Sequence, residues 1–220
     1  MHTSWHKMFL LALGVSPAIP LAGVAQMPGV PVLQNAFANA GITGALNIAS
    51  AGGRSSYGAA AAWAPSSARF QLSVGGGVQV RTGKPARTLY GVRANVPIMS
   101  FAGGGFGLGA FGGFGGATGA GSDSSLAKTV APVGVTVGYR RMVGTRGVSA
   151  YASPHYEFIG RGGNGGSTGV VRVGLGLDVG VTSSIGVTLG VELGQKGGNG
   201  SAKPSGTSFG AAASYALGRR

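Results

Sequence analysis

The sequence predicts an all-β chain: a transmembrane antiparallel up-and-down β-barrel of about ten strands, with eight as the alternative count. Three observations predict it. From residue 42 onward apolar residues return at every second position, the period of a strand with two unlike faces. The residues between them are mostly Gly, Ser and Thr, and only 10% of the chain is charged, against roughly 25% in ordinary globular proteins. The connections alternate in length, as in barrels that cross a membrane with short turns on one side and longer loops on the other.

Composition removes several other classes. The chain has 220 residues, room for one domain or for one barrel with a leader. Gly accounts for 46 of them without a G-X-Y repeat, which excludes collagen. Low charge with positive mean hydropathy excludes a disordered chain. After the leader no apolar run is long enough for a membrane-spanning helix, which needs about 18 residues or more. There is no cysteine, hence neither a disulfide framework nor a thiolate metal site. Lys and Arg number 17 against four acids, a balance that suits anionic surfaces of several kinds.

Residues 1–25 read as a cleaved secretory signal. His2, His6 and Lys7 form a short basic start, Met8 to Val15 an apolar stretch, and Pro17 and Pro20 end it before the small residues Gly23 and Ala25. Residues 26–41 are expected as an N-terminal periplasmic segment, and 42–220 as the barrel.

Ten segments follow in order. The first, 42–50, and the alanine-rich second, 56–65, are short alternating runs. The third, 69–81, sets Phe70, Leu72, Val74, Val78 and Val80 against Gln71, Ser73 and Gln79. The fourth, 88–99, sets Tyr90, Val92, Val96 and Ile98 against Gly91, Arg93 and Asn95. The fifth, 105–118, is glycine-rich. The sixth, 130–141, sets Val133, Val135, Val137 and Tyr139 against Thr136 and Arg140. In the seventh, 148–160, Tyr156 and Phe158 alternate with Ser149, Tyr151, Ser153, His155 and Glu157. The eighth, 170–182, sets Val171, Val173, Leu175 and Leu177 against Arg172 and Asp178. The ninth, 185–196, carries Ile185, Val187, Leu189, Val191 and Leu193 on one row and Glu192 on the other. The tenth, 208–219, sets Phe209 and Tyr215 against Ser208 and Ser214.

Connections after the even segments are tight, and those after the odd segments are expected to be mostly longer and polar. The aromatics sort by depth. Trp63, Phe70, Tyr139 and Tyr215 fall near the short turns; Tyr57, Tyr90, Tyr156, Phe158 and Phe209 fall near the long loops. Tyr57 and Trp63 are six residues apart, about 20 Å along a strand, which suits two girdles around an aliphatic band. A water-soluble β-sandwich also alternates, but its outer rows need plentiful charge.

With these features the sequence resembles the small bacterial outer-membrane β-barrels of the OmpA/OmpW type, over the signal segment and 42–220. The resemblance is architectural. Ser208-x-Gly210-x-x-Ala213-x-Tyr215 is similar to the C-terminal pattern read by the barrel-assembly machinery, although this chain ends in Gly218-Arg219-Arg220 rather than an aromatic. The resemblance implies export through the cleaved signal, the assembly machinery as a partner, and residence in the bacterial outer membrane.

Few motifs point to chemistry. Gly107-Leu-Gly109-Ala-Phe-Gly112 spells G-x-G-x-x-G, but no helix follows to receive phosphates. Ser153, His155 and Glu157 invite a triad, yet residues two apart on a strand stand roughly 6.6 Å apart, beyond nucleophile–base reach. The acids are more informative, because Glu157, Asp178 and Glu192 share lumenal rows with Arg93, Arg140 and Arg172, and only Asp123 is in a loop. One register allowed by parity puts Glu157 opposite Arg172, and such charge-assisted pairs would brace the wall and narrow any pore.

Arg54, Arg81, Lys84, Arg87, Lys128, Arg161, Lys196 and Lys203 gather at the long-loop end. They are expected to form a basic loop surface toward outer-membrane lipid, with lipopolysaccharide-type phosphates as counter-charge. No nucleic-acid reading element accompanies them, and no cofactor, metal site or catalytic residue is assigned. The leading expectation is a non-enzymatic barrel with a structural or surface-interaction role. A narrow pore for small solutes or ions is the second reading, and a hydrolase centred on His155 the third.

Overall fold

The structure, a computed structural model, describes residues 40–67, 69–101, 105–118, 128–144, 146–161, 166–196, 203–204 and 207–217. The signal segment, the 26–41 segment apart from its last two residues, Asp123 and the Gly218-Arg219-Arg220 tail lie outside these residues.

Ten long strands close into one antiparallel barrel. They are β1 (Gly41–Ala51), β2 (Arg54–Ala64), β3 (Gln71–Arg81), β4 (Lys84–Phe101), β5 (Phe106–Ala117), β6 (Lys128–Val143), β7 (Arg146–Arg161), β8 (Ser167–Gly180), β9 (Ile185–Lys196) and β11 (Ser208–Leu217). A two-residue strand, β10 (Lys203–Pro204), pairs with the end of β9. Each long strand pairs with the next, and β11 pairs with β1. Closure gives every long strand two neighbours and leaves no row of backbone groups unpaired at an edge. The alternative of eight strands is set aside, since alanine-rich β2 is a full strand paired with both β1 and β3.

Two connections differ from expectation. After β1 and β3, where longer polar loops were predicted, the chain turns in two residues, with Ala51 paired to Arg54 and Arg81 to Lys84. Gly52 and Gly53 have φ of 55° and 71°, which two-residue hairpin turns require at both central positions. The polar residues belong to strand ends that run on past the apolar belt, where composition no longer marks a strand.

The two faces have opposite character. Outward rows are apolar and open: Leu46 is 69% exposed, Val74 56% and Leu189 54%. Tyr57, Trp63, Tyr90, Tyr139, Phe158, Phe209 and Tyr215 are exposed on the same outer face. Inward rows hold the polar and charged groups, with Arg172, Glu157, Glu192 and Ser153 fully buried. An ordinary soluble protein would invert this arrangement.

Glycine makes that interior possible. The register sets Tyr151 opposite Gly176, His155 opposite Gly134 and Arg172 opposite Gly194. A Cβ at Gly176 would overlap the Tyr151 ring, one at Gly134 would overlap His155, and one at Gly194 would stand 2.7 Å from Arg172 Cγ. Large inward side chains lie across bare backbone on the next strand, and part of the glycine content serves this packing.

Candidate functional site

The lumen is occupied by one chain of side-chain contacts running from β9 to β3. Arg172 Nη1 on β8 donates to Glu192 Oε1 on β9 at 2.6 Å, and its Nε stands 2.7 Å from Glu157 Oε2 on β7. The Nε contact is an ion pair without hydrogen-bond alignment. His155 Nε2 lies 3.8 Å from Glu157 Oε1 and 3.9 Å from Glu192 Oε2. The imidazole meets the Phe111 ring edge-on at 5.7 Å, and the Arg93 guanidinium stacks on Phe111 at 3.6 Å. Arg93 Nε then donates to Asn95 Oδ1 at 2.8 Å, and Asn95 Nδ2 to Gln71 Oε1 at 3.1 Å. Every member of this chain is buried.

The register explains how one arginine serves two acids. His155, not Glu157, stands opposite Arg172, and Glu157 pairs with Val170. On the other side Arg172 faces Gly194, while Glu192 faces Gly174. Each carboxylate is thus one lumenal step along its strand from the arginine, and the guanidinium reaches both on the diagonal. The expected Glu157–Arg172 register is corrected by one inward step, yet the ion pair forms because diagonal neighbours remain within reach of long side chains.

A second network lies nearer the short turns. Asp178 accepts from Ser149 Oγ at 3.1 Å and from Thr188 Oγ1 at 2.6 Å. Arg140 pairs in register with Ser149, on an exposed stretch of β6.

Between mouth and charge, buried aliphatic side chains line the inner rows of β4, β6, β7 and β8. Reading inward from the long-loop end at alternate positions, β4 gives Arg87, Leu89, Gly91 and Arg93, and β6 gives Lys128 and Val130. β7 gives Ile159, Glu157 and His155, and β8 gives Val170 and Arg172. Leu89, Val130, Ile159 and Val170 are each 3% exposed or less. Sequence reading passed over these four and Phe111. Parity held the signal, since Phe111 falls on the row of Gly107, Gly109 and Gly113 rather than with Phe106 and Phe114.

The basic residues divide. Cross-strand partners share a face, and Arg54 is opposite Arg81, Arg81 opposite Lys84, and Arg87 opposite Gln79. Gln79 bonds inward to Ser56 at 3.4 Å. Arg54, Arg81, Arg87 and Lys128 therefore stand on inner rows at the lumen mouth, rather than on loops turned toward lipid. The expectation counted loop residues by polarity and missed that these belong to strands. Arg161 is in register with Lys128 and Lys196 with Lys203; the side chains of Arg161, Lys196 and Lys203 lie outside the described residues.

Ser153, His155 and Glu157 are not wired as a relay. The His155 Nδ1–H donates to the Ser153 carbonyl at 2.8 Å, while the Ser153 hydroxyl shares a 3.0 Å hydrogen bond with Thr136. Donor atoms of His155, Glu157 and Glu192 do come within 4.8 Å of one another, the spacing of a metal-ligand set. Arg172 already supplies positive charge to both carboxylates, so the geometry reads as an ion-pair node. Gly107, Gly109 and Gly112 lie within β5 itself, which leaves no phosphate-binding turn there.

Among solved structures, the chain is similar to a bacterial polysaccharide outer membrane secretin at 10% identity and a TM-score of 0.51. The match covers 80% of this chain and 64% of the secretin, so the chain spans less than two thirds of that protein. It is also similar to the translocator domain of the autotransporter NalP from Neisseria meningitidis, at 13% identity, TM-score 0.41, and 79% and 86% coverage. A third match is the N-terminal β-barrel domain of Pseudomonas aeruginosa OprF, at 10% identity, TM-score 0.34, and 79% and 96% coverage. No protein-family model matches the chain, and no curated protein sequence matches it.

Proposed function

We propose that the chain is a closed, non-enzymatic β-barrel of the bacterial outer membrane, with a structural role and a surface-interaction role exercised at its basic mouth. The filled lumen carries the reading. A continuous chain of buried side chains from Glu192 to Gln71, capped by an apolar layer, leaves wall bracing as the use of the interior charges. Small barrels commonly fill their interiors in this way.

Placement in a membrane is supported by the outer face, where aliphatic and aromatic side chains are open all around the barrel. The bacterial polysaccharide secretin of similar fold is an outer membrane protein. A cleaved signal over 1–25 and insertion by the barrel-assembly machinery complete the reading. The non-enzymatic part is supported by the engaged Ser153 hydroxyl and by His155 Nδ1 donating to backbone. Phosphate groups of lipopolysaccharide-type lipid are the proposed partner of the basic end, by charge complementarity.

Single-channel recording in planar bilayers tests the closed barrel. The expected result is a silent membrane with inserted protein; steady openings would overturn it. Membrane placement has its own test. The protein should sediment with membranes and change electrophoretic mobility on heating in detergent, and recovery in the aqueous fraction would refute it.

A further inference from the structure

The ion-pair node has two sides, and Arg172 occupies one of them. Its Nη1 holds Glu192 Oε1, and its Nε holds Glu157 Oε2. The other oxygen of each carboxylate, Glu157 Oε1 and Glu192 Oε2, is turned to His155 Nε2, at 3.8 and 3.9 Å. Both gaps are too long for a hydrogen bond. Arg93 and Lys128 act on these acids electrostatically, but neither makes an ion pair with them among the described residues.

The His155 Nδ1–H donates to the Ser153 carbonyl, so the neutral imidazole carries its lone pair on Nε2. That lone pair and two carboxylate oxygens converge in a buried part of the lumen. Converging acceptors are costly in such a place without a donor or a cation between them. One ligand atom from each of His155, Glu157 and Glu192 lies within 4.8 Å of the other two. A zinc-like ion holds nitrogen and oxygen ligands at about 2.0–2.2 Å, so two of its ligand atoms stand up to roughly 4 Å apart. The gaps of 3.8 and 3.9 Å fall within that span.

We propose that His155 Nε2, Glu157 Oε1 and Glu192 Oε2 form a three-ligand site for a divalent transition-metal ion of the zinc class. Their surroundings match those of metal ligands elsewhere. A ligating histidine commonly donates its other ring N–H to a carbonyl, and ligating carboxylates are themselves hydrogen-bonded or paired. Ser153 and Arg172 take those two parts. One imidazole with two carboxylates suits zinc or manganese rather than ions that seek thiolates. The ion would tie β7 to β9 across β8, whether or not the barrel conducts. Leu89, Val130, Ile159 and Val170 lie on the long-loop side of the site, so the ion is loaded as the barrel closes.

The test uses the full chain refolded in zwitterionic detergent with chelator, zinc or cobalt, each sample checked for heat-dependent mobility. Zinc content is measured after desalting, zinc affinity by competition with a chelating dye, and stability by the urea midpoint. About one zinc per chain and a raised midpoint are expected. His155→Gln and Glu192→Gln should each weaken zinc binding at least about tenfold. The chain's other histidines lie in 1–25, and the His2→Gln/His6→Gln variant should bind zinc as wild type does. Asp178→Asn, in the second network, should also leave binding unchanged.

Should the lumenal variants fail to fold, cobalt-loaded wild type carries the test. Strong visible bands of a four- or five-coordinate ion are expected, and the weak spectrum of the hydrated ion would overturn the site. Refolded barrel that retains no zinc would also overturn it, and would leave a proton on Nε2 to answer the two oxygens. Equal zinc affinity in wild type and His155→Gln would do the same.

Discussion

Arg172 and Glu192 are joined at 2.6 Å between adjacent barrel strands, and neither side chain is open to solvent. The bond is one half of a node, because the same guanidinium pairs with Glu157. Removing the arginine therefore strands two carboxylates. Arg172→Met should cost about 3–5 kcal/mol, the usual result of leaving buried charge uncompensated. Glu192→Gln should cost less, about 1–3 kcal/mol, because Arg172 keeps Glu157. Urea unfolding in lipid vesicles measures both, and equal losses would show that the node does not act through Arg172.

The Tyr151–Gly176 pair makes a steric prediction. Gly176→Ala places a methyl group into the Tyr151 ring, and overpacking of this kind costs about 1–3 kcal/mol. Combining it with Tyr151→Leu should recover part of that loss. A double-mutant cycle reads the coupling directly, and strictly additive losses would mean that the ring moves aside freely.

These two relationships also show what the sequence made legible. The strands were readable because a bilayer outside and a polar lumen inside impose strict alternation, so Leu189 and Glu192 could be assigned to opposite rows from parity alone. The acids and arginines of the lumen were legible for the same reason. Register was not, since parity fixes only the face of a residue, and the step that sets His155 rather than Glu157 opposite Arg172 depends on pairing across a whole hairpin. The mouth was misread for another reason. Polar strand ends around Arg54 and Arg81 look like loop, and only the two-residue turns reveal them as strand. Phe111 was hidden by glycine, which blurs the alternation that would have marked it as inward.

If the outer face meets hydrocarbon, the cost of a charge there must depend on depth. Leu189 lies mid-strand in β9, whereas Val143 lies on the same outward row as Tyr139 at the short-turn end of β6; both are exposed. Leu189→Arg should cost about 2–4 kcal/mol and Val143→Arg about 0–1 kcal/mol. Unfolding in vesicles compares them. Equal, small effects at both positions would place the outer face in water and remove the membrane from the proposed function.

The last prediction concerns the seal itself. Arg93, Phe111 and His155 form the middle of the contact chain, with Arg93 stacked on the ring at 3.6 Å and His155 against its edge at 5.7 Å. Phe111 is the one member of this chain without polar bonds, so removing it empties volume while leaving the Arg172 node intact. Phe111→Ala opens space beside β5, where Gly109 and Gly113 add no side chains. Arg93→Ala then removes the group that spans from the ring to Asn95. The apolar layer above remains, so these two changes alone should leave the barrel silent. Adding Ile159→Ala and Val130→Ala, which stand opposite each other on β7 and β6, should create a continuous water path and measurable conductance in planar bilayers. Conductance from the Phe111→Ala/Arg93→Ala pair without the upper changes would assign the seal to the charged layer alone. Silence in the fourfold variant, with the fold retained by heat-dependent mobility, would place the obstruction elsewhere in the barrel.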